Sequence, residues 1–459
     1  MSNKANNTSD NKSAVDMTFW GLFVILLLVA IVALFSASST LVYKSTSLFS
    51  TVGQQIVFLA FGVLMAYIVQ FMPTLWIRRA SYVVLAFAVF MCLCTMFPSL
   101  PFVKTINGAS RWVSIWKISF QPSELAKLSM VIVVADLLSR AKTPEEQRKY
   151  FYWAAGVATL TTLPILLGNL STAVLIWGIF VTLLFLARMP WKYIALCVCV
   201  PLTLLIGGLS VAKVFVDSGR ELSGPFSRAN TWVKRVDEYA EKLKKPSEAE
   251  LAQLASLTPE QRKEREKAQI REDMKNKNSQ RTFSLLAVWR GGKSPLGVLP
   301  GNSKERDFLP VAYADYIFAI IVEESGVIGA AFLMFVFLAI LFRACYVSNR
   351  FDDYAAMLMM MGLALMLTCQ ALISMAVVVG LGPVTGQPLP LITRGGTSAV
   401  VTSLYFGIMM CVSREQTMLR KRVSGTEEES KNDIPELLVI EQERKETASD
   451  EEPAIIVES

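Results

Sequence analysis

Apolar runs of roughly 20 residues recur along this chain, each long enough to carry an α-helix across a hydrocarbon core about 30 Å thick. They fall near 17–38, 51–72, 80–99, 118–138, 151–167, 169–187, 193–213, 316–342, 354–381 and 397–414. With 53% hydrophobic and 18% charged residues and a mean hydropathy of +0.44, the 459-residue chain is too apolar for a water-soluble globule. The expected fold class is an all-α polytopic membrane protein of about ten transmembrane helices. A polar segment precedes the first run and no small-residue cleavage site follows it, so it reads as a retained helix and not a signal peptide.

Charge sets the orientation. With the N-terminus cytoplasmic, the short inside loops carry Arg78, Arg79, Arg140, Lys142, Arg148, Lys149, Arg188, Lys192, Arg343 and Arg350, and Arg414, Arg420, Lys421 and Arg422 follow the last run. The short outside segments carry only Lys44, Lys104, Arg111, Lys117 and Arg394. The positive-inside rule then places both termini in the cytoplasm and the long segment 214–315 outside. The centre of that segment, 234–281, is rich in Lys, Glu, Gln and Ala and is punctuated by Pro246 and Pro259. It reads as one or two solvated helices, either a plain insertion or a docking surface for an extracytoplasmic partner. Three parts follow: a cytoplasmic tail 1–16, a membrane domain 17–415, and a Glu-rich tail 416–459 with few aromatics that is expected to be disordered. No internal repeat of the inverted-transporter kind is visible.

The chain contains no histidine, which excludes hydrolytic triads and histidine-bound metals. Acid–base chemistry must use a carboxylate, Lys, Tyr or Cys. The seven cysteines sit in apolar stretches or at their edges, as small hydrophobes do, and form no disulfide or metal pattern. The net charge of +7 matters less than its distribution, and no nucleic-acid partner is expected.

Ionisable groups within the spans are costly and therefore informative. Glu124 and Lys127 stand i, i+3 on one helix face and can neutralise each other, a role that needs no further function. Glu323 and Glu324 are adjacent and cannot point the same way. Asp315 stands at the outer mouth of the eighth run, where it suits either a helix N-cap or a carboxylate base at the membrane–water boundary. The outside stretch KTINGASRWVSIWKISFQPSE (104–124) interleaves basic residues with two tryptophans, an arrangement that fits an aromatic belt or a hold on pyrophosphate. A second one, GPVTGQPLPLITRGGTS (382–398), is dense in Pro and Gly. Irregular backbone at that depth is tolerated only when buried in protein or lining a wet cavity.

Five stretches taken in order, NGASRW (107–112) with QPSELAK (121–127), GGKSPLGVLPGNS (291–303), FLPVAYADYIFAIIVEESGVIG (308–329) and PVTGQPLPLITRGGTS (383–398), resemble the SEDS family of peptidoglycan glycosyltransferases (FtsW, RodA, SpoVE), most closely its cell-division branch. The resemblance runs from about 17 to 415 and implies a ten-helix enzyme of the bacterial inner membrane, at the division septum, that polymerises lipid II into glycan strands. It implies as partners a class B penicillin-binding protein transpeptidase and other divisome proteins. Asp315 takes the place of the catalytic aspartate and Asp307 that of a second acidic residue in division-type members. Arg111 and Trp112 match the loop between helices three and four, Glu124 and Lys127 the helix-four pair, and Gln280 and Arg235 further polar positions in the large loop. The chain departs from the pattern at Asn169 and Ser171 in LGNLSTA, at Ser374 and Met375, at Arg394 and in the length of the insertion.

The mechanism so implied has Asp315 take the proton of the acceptor 4-hydroxyl, which attacks the donor's anomeric carbon with inversion and expels undecaprenyl pyrophosphate. Arg111, Lys117 or Arg290 would stabilise the departing charge, aided by a divalent cation (Mg or Mn) at Asp307 or Asp315. Trp112, Glu124 and Lys127 complete the expected substrate-binding set. Two rival roles are a flippase for the same lipid and a non-catalytic scaffold that recruits the transpeptidase.

Overall fold

Prolines and short polar side chains open the helices. The computed structural model describes residues 15–42, 48–97, 99–106, 109–115, 118–218, 230–233, 237, 279–299, 301–303, 316–382 and 386–420. Helices α1 (Met17–Val42), α2 (Leu48–Val69) and α3 (Thr74–Cys94) lead into strands β1 (Val103–Ile106), β2 (Ala109–Ile115) and β3 (Ile118–Phe120). Then come α4 (Pro122–Ser139), α5 (Pro144–Gly168), α6 (Leu170–Leu186), α7 (Trp191–Asp217), α8 (Ser279–Gly292), α9 (Ile317–Ser348), α10 (Tyr354–Val378) and α11 (Gly396–Arg420). α5 begins with a capping box: Thr143 Oγ1 accepts from the Glu146 N–H, and the Glu146 carboxylate accepts from the Thr143 N–H. Pro122 opens α4 in the first turn, and Asp353 Oδ1 accepts from Ala355 N at 2.9 Å to start α10.

The polytopic, helical membrane architecture expected from the sequence is present. Seven of the described helices, α1, α3, α5, α7, α9, α10 and α11, are long and apolar enough to cross a membrane, and Gly53–Val69 of α2 and all of α6 are shorter apolar helices. Two boundaries move. The third run opens at Thr74 after Pro73, so Arg78 and Arg79 lie inside the first turns of α3 instead of in a loop. The fourth begins as strand β3, and its helix starts only at Pro122.

α4 lies at the centre. Every residue from Pro122 to Leu138 except Leu125 is buried, because α3, α5, α6 and α10 pack around it. A helix without an apolar stripe belongs in such a position. α7 is its opposite: only 11% of its apolar window is buried, and Leu204 and Val214 point outward as lipid-facing side chains do. α2 and α11 approach closely through small residues, Gly62 against Ser403 and Gly407 against Ala66, which suits helices that gain association energy from packing alone.

Several basic residues counted for the inner loops are paired. Arg78 bonds Asp353 and lies 4.0 Å from Asp136, which also takes Arg140 at 2.6 Å and the Tyr82 hydroxyl at 2.8 Å. Arg343 forks onto Asp16 with Nη2 at 3.0 Å from each carboxylate oxygen. These pairs tie α3, α4 and α10 together at one end, and α1 to α9.

α9 breaks at Gly326 (φ 66°, ψ −163°). Only glycine adopts this backbone without strain, and a Cβ there would overlap the Pro295 carbonyl. Gly326→Ala is therefore expected to cost more than about 2 kcal/mol, seen as a lowered unfolding temperature in detergent. An unchanged temperature would show that the break is not needed.

Candidate active site

Strands β1, β2 and β3 form a three-stranded antiparallel sheet where the sequence predicts a loop. Trp112 pairs with Lys104 across β1 and β2, and the next pairing brings Ser114 opposite Ser119 on β3. Arg111 is the extra residue of a bulge in β2, between the Lys104–Trp112 and Thr105–Ser110 pairings, so the regular alternation of faces is interrupted there. Arg111 Nε donates to the Gly168 carbonyl at 2.9 Å, at the end of α5. Its side chain lines a cavity of ≈ 30 Å³ shared with Cys92, Gln121, Ser123, Gly168 and Asn169. That volume accommodates roughly two waters and no sugar.

Asn169 explains its own departure from the family pattern. It ends α5 and caps α6: its Oδ1 accepts from the Ser171 hydroxyl at 2.8 Å and from Thr172 N at 3.4 Å. Asn makes this cap as well as Asp would, without adding a negative charge beside Arg111. The N-termini of α4 and α6 and the Arg111 side chain meet the C-terminal end of α5 at this cavity.

Glu124 and Lys127 meet as expected, Nζ to Oε1 at 2.8 Å, both buried. A third partner joins them from a distant run: Lys127 Nζ also donates to Gln370 Oε1 at 2.6 Å, and Gln370 Nε2 donates to the Pro388 carbonyl at 3.0 Å. One turn on, Ser374 Oγ donates to the Gln387 carbonyl at 3.1 Å. The ion pair is thereby coupled to the Gly-Pro segment 386–395, whose residues Gln387, Leu389, Leu391, Ile392 and Thr393 are buried in protein, as irregular backbone at that depth requires. Gln370 was detectable as the amide within the apolar run LTCQALIS.

Gln387 itself has both amide atoms buried without a hydrogen-bond partner among the described residues, and so does the Tyr405 hydroxyl. Replacing an unsatisfied buried amide by an apolar group of similar shape removes a desolvation cost of about 1–3 kcal/mol. Gln387→Leu is thus expected to raise the unfolding temperature, and a lowered one would show that the amide is satisfied in the working protein.

Glu323 and Glu324 are both buried and, as their adjacency requires, face different partners. Glu323 takes the Ser303 hydroxyl and, at 3.4 Å, Arg290 Nη1; Glu324 takes the Ser36 hydroxyl and Gly301 N at 3.1 Å. Arg290 thus belongs to this cluster and not to the Arg111 cavity.

Asp307, Asp315, Lys117 and Arg235, like most of the insertion 234–281, lie outside the described residues; Gln280 falls in the first turn of α8. The N-cap position of α9 is Tyr316, one residue after Asp315, and Tyr316 makes no side-chain cap bond. Among the described residues no group of three or more Cys, Asp or Glu side chains is placed to hold a metal ion.

The FtsW/RodA/SpoVE model, described as "Cell cycle protein", matches residues 16–418. The chain is 27% identical over 398 residues to the peptidoglycan glycosyltransferase MrdB of Escherichia coli (strain K12), covering 83% of this chain and 93% of that protein. It is 29% identical over 419 residues to the probable peptidoglycan glycosyltransferase FtsW of Saccharophagus degradans, covering 89% and 94%. The fold matches a chain from a solved peptidoglycan synthase complex that coordinates polymerization and crosslinking, with a TM-score of 0.60 at 20% identity over 88% of this chain and 98% of the other. The chain belongs to the FtsW/RodA/SpoVE family of cell cycle proteins.

Proposed function

We propose that this protein is a peptidoglycan glycosyltransferase that polymerises lipid II at the outer face of the bacterial inner membrane, with a class B penicillin-binding protein as cross-linking partner. The observation that carries this reading is the family match over 16–418, which covers every stretch of the sequence that resembles the SEDS signatures. In this reading both termini and the tails 1–16 and 416–459 are cytoplasmic, ten helices cross the membrane, and 214–315 lies outside.

Asp315 is the base that receives the acceptor hydroxyl proton as the new glycosidic bond forms and undecaprenyl pyrophosphate departs. Arg111, beside two helix N-termini, supplies positive charge for the leaving group, aided by Lys117. The Arg111 cavity is water-sized, so the pyrophosphate engages that charge without entering it. Arg290 is directed to Glu323, which supports a structural part for it. A divalent cation, if used, would take its ligands from Asp307 and Asp315 and would offset the charge of the pyrophosphate. Relatives named MrdB and FtsW match at 27% and 29% identity, so identity alone does not separate the branches. Asp307, the PGNS element and the wording of PVTGQPLP favour septal synthesis.

The test is to reconstitute the purified protein with lipid II, alone and with its class B partner, and to follow both polymer formation and transfer of labelled lipid II between leaflets. Polymer without transfer is the expected result. Transfer without polymer would move the assignment to a flippase, and neither activity to a scaffold.

A further inference from the structure

The inner end of the bundle holds more positive charge than its carboxylates take up. Arg78, Arg140 and Arg343 are paired there with Asp136, Asp353 and Asp16, yet Arg148, Lys149, Arg188 and Lys192 are exposed and make no ion pair among the described residues. Glu145 and Glu146 stand in the first turn of α5, but Glu146 is committed to the capping box, and the first turn of α7 has no acidic residue. Packing gathers these cations. Phe151 of α5 stacks on Tyr193 of α7 with ring centroids 4.3 Å apart and planes at 24°, which joins the two helix starts. Lys149 Nζ sits over the Tyr150 ring at 5.7 Å from its centroid and Lys192 Nζ over the Tyr193 ring at 5.0 Å, so each ammonium has an aromatic seat in place of a carboxylate. Trp153 and Trp191, 62% and 70% exposed, stand beside the stack.

Depth and backbone point the same way. From Lys149 to the end of α5 the helix rises about 30 Å, the thickness of the hydrocarbon core, which sets Lys149 and Tyr150 at the level of the lipid headgroups. Arg188 has φ 51° and closes α6 in a Schellman turn, with Met189 N on the Leu184 carbonyl at 3.1 Å and Arg188 N on that of Phe185 at 3.0 Å. Glycine fills that position without strain, so an arginine there costs stability and puts a charge just ahead of Lys192. A positive-inside bias accounts for basic residues at this end, and an aromatic belt for the tryptophans. Neither calls for two ammoniums seated on helices that one aromatic stack locks together.

We propose that the starts of α5 and α7 form a binding site for an anionic phospholipid of the cytoplasmic leaflet. Lys149 and Lys192 take the headgroup phosphate, Arg148 and Arg188 add to the field, and Trp153 and Trp191 lie along the upper acyl chains. The buried residues of α7 other than Ala212 are Tyr193, Ile194 and Cys197, all in its first two turns, so a lipid held here braces the end by which α7 joins the bundle. The leaflet named rests on the orientation proposed above; the chemistry of the site does not.

The experiment titrates the purified full-length protein in neutral detergent with cardiolipin, phosphatidylcholine or inorganic phosphate, reading bound lipid by native mass spectrometry and following the unfolding temperature. The variants are Lys149→Gln/Lys192→Gln, Lys149→Arg/Lys192→Arg and, as an equal loss of charge elsewhere at the same end, Arg79→Gln/Arg350→Gln. Cardiolipin should bind wild type saturably and raise its unfolding temperature, and phosphatidylcholine and inorganic phosphate should do neither. The glutamine pair at 149 and 192 should bind cardiolipin about 10- to 30-fold more weakly and lose the thermal shift, while the arginine pair and Arg79→Gln/Arg350→Gln stay within about 3-fold of wild type. A glutamine pair that binds like wild type, an equal weakening in Arg79→Gln/Arg350→Gln, or equal stabilisation by phosphatidylcholine or inorganic phosphate would overturn the proposal. Should the glutamine pair fail to fold, Lys192→Gln decides: about 3- to 5-fold weaker binding supports the site and unchanged binding overturns it. None of these readouts needs glycosyl transfer, so they stand apart from the assignment of Asp315.

Discussion

Lys127→Met is expected to destabilise the protein by about 3–5 kcal/mol, because it leaves a buried carboxylate without its counter-charge. The Lys127 side chain is 2% exposed and that of Glu124 is 7% exposed, so water cannot replace the lost partner. The change also strips Gln370 Oε1 of its donor and frees the amide that holds Pro388 in place. Glu124→Gln/Lys127→Met removes both charges at once and should recover most of the loss, as exchanging a buried pair for neutral groups does elsewhere. Thermal unfolding of the purified variants checks this: a cost below about 1 kcal/mol for the single change, or a double change as damaging as the single, contradicts it. The double variant also separates two roles. If the pair only holds α4 against α10, the folded double variant polymerises normally; if it binds substrate, the folded protein is inactive.

Asp315→Asn should lower polymerisation by about 100- to 10,000-fold, the usual contribution of one positioned proton acceptor. The change keeps the shape of the side chain and removes only its ability to take a proton. It stands just before the cap position of α9, where Tyr316 makes no side-chain cap bond. The loss should therefore appear in turnover and leave the unfolding free energy within about 1 kcal/mol of wild type, whereas a helix-capping role would give the reverse pattern.

Seven of the ten runs were legible as membrane-crossing helices because they are long and the solvent is lipid, so length and polarity alone locate them. The Glu124–Lys127 pair was legible too, since i, i+3 spacing on a helix brings two side chains together without knowledge of the fold. Gln370 joins them from 243 positions away, and no local pattern announces such a contact. The sheet at 103–120 escaped because its strands are 4, 7 and 3 residues long and mix Arg, Trp and Ser, which reads equally as an aromatic belt. The break in α9 escaped because IVEESGVIG continues an apolar helical run and a single Gly is often tolerated there. The signal lay elsewhere, in the glycines and prolines of GGKSPLGVLPGNS, a segment that only makes sense with a broken helix to receive it. Glu323 and Glu324 were legible as buried acids facing different ways, but their partners came from that segment and from α1.

In the proposed reaction this chain performs glycosyl transfer with Asp315 as base. The most direct measurement is the rate of glycan polymer formation from lipid II by wild type and Asp315→Asn at matched folded concentration, in the presence of the class B partner. Polymer from wild type, with at least about 100-fold less from a variant that still binds lipid II, is the predicted result; equal polymer from both would contradict it.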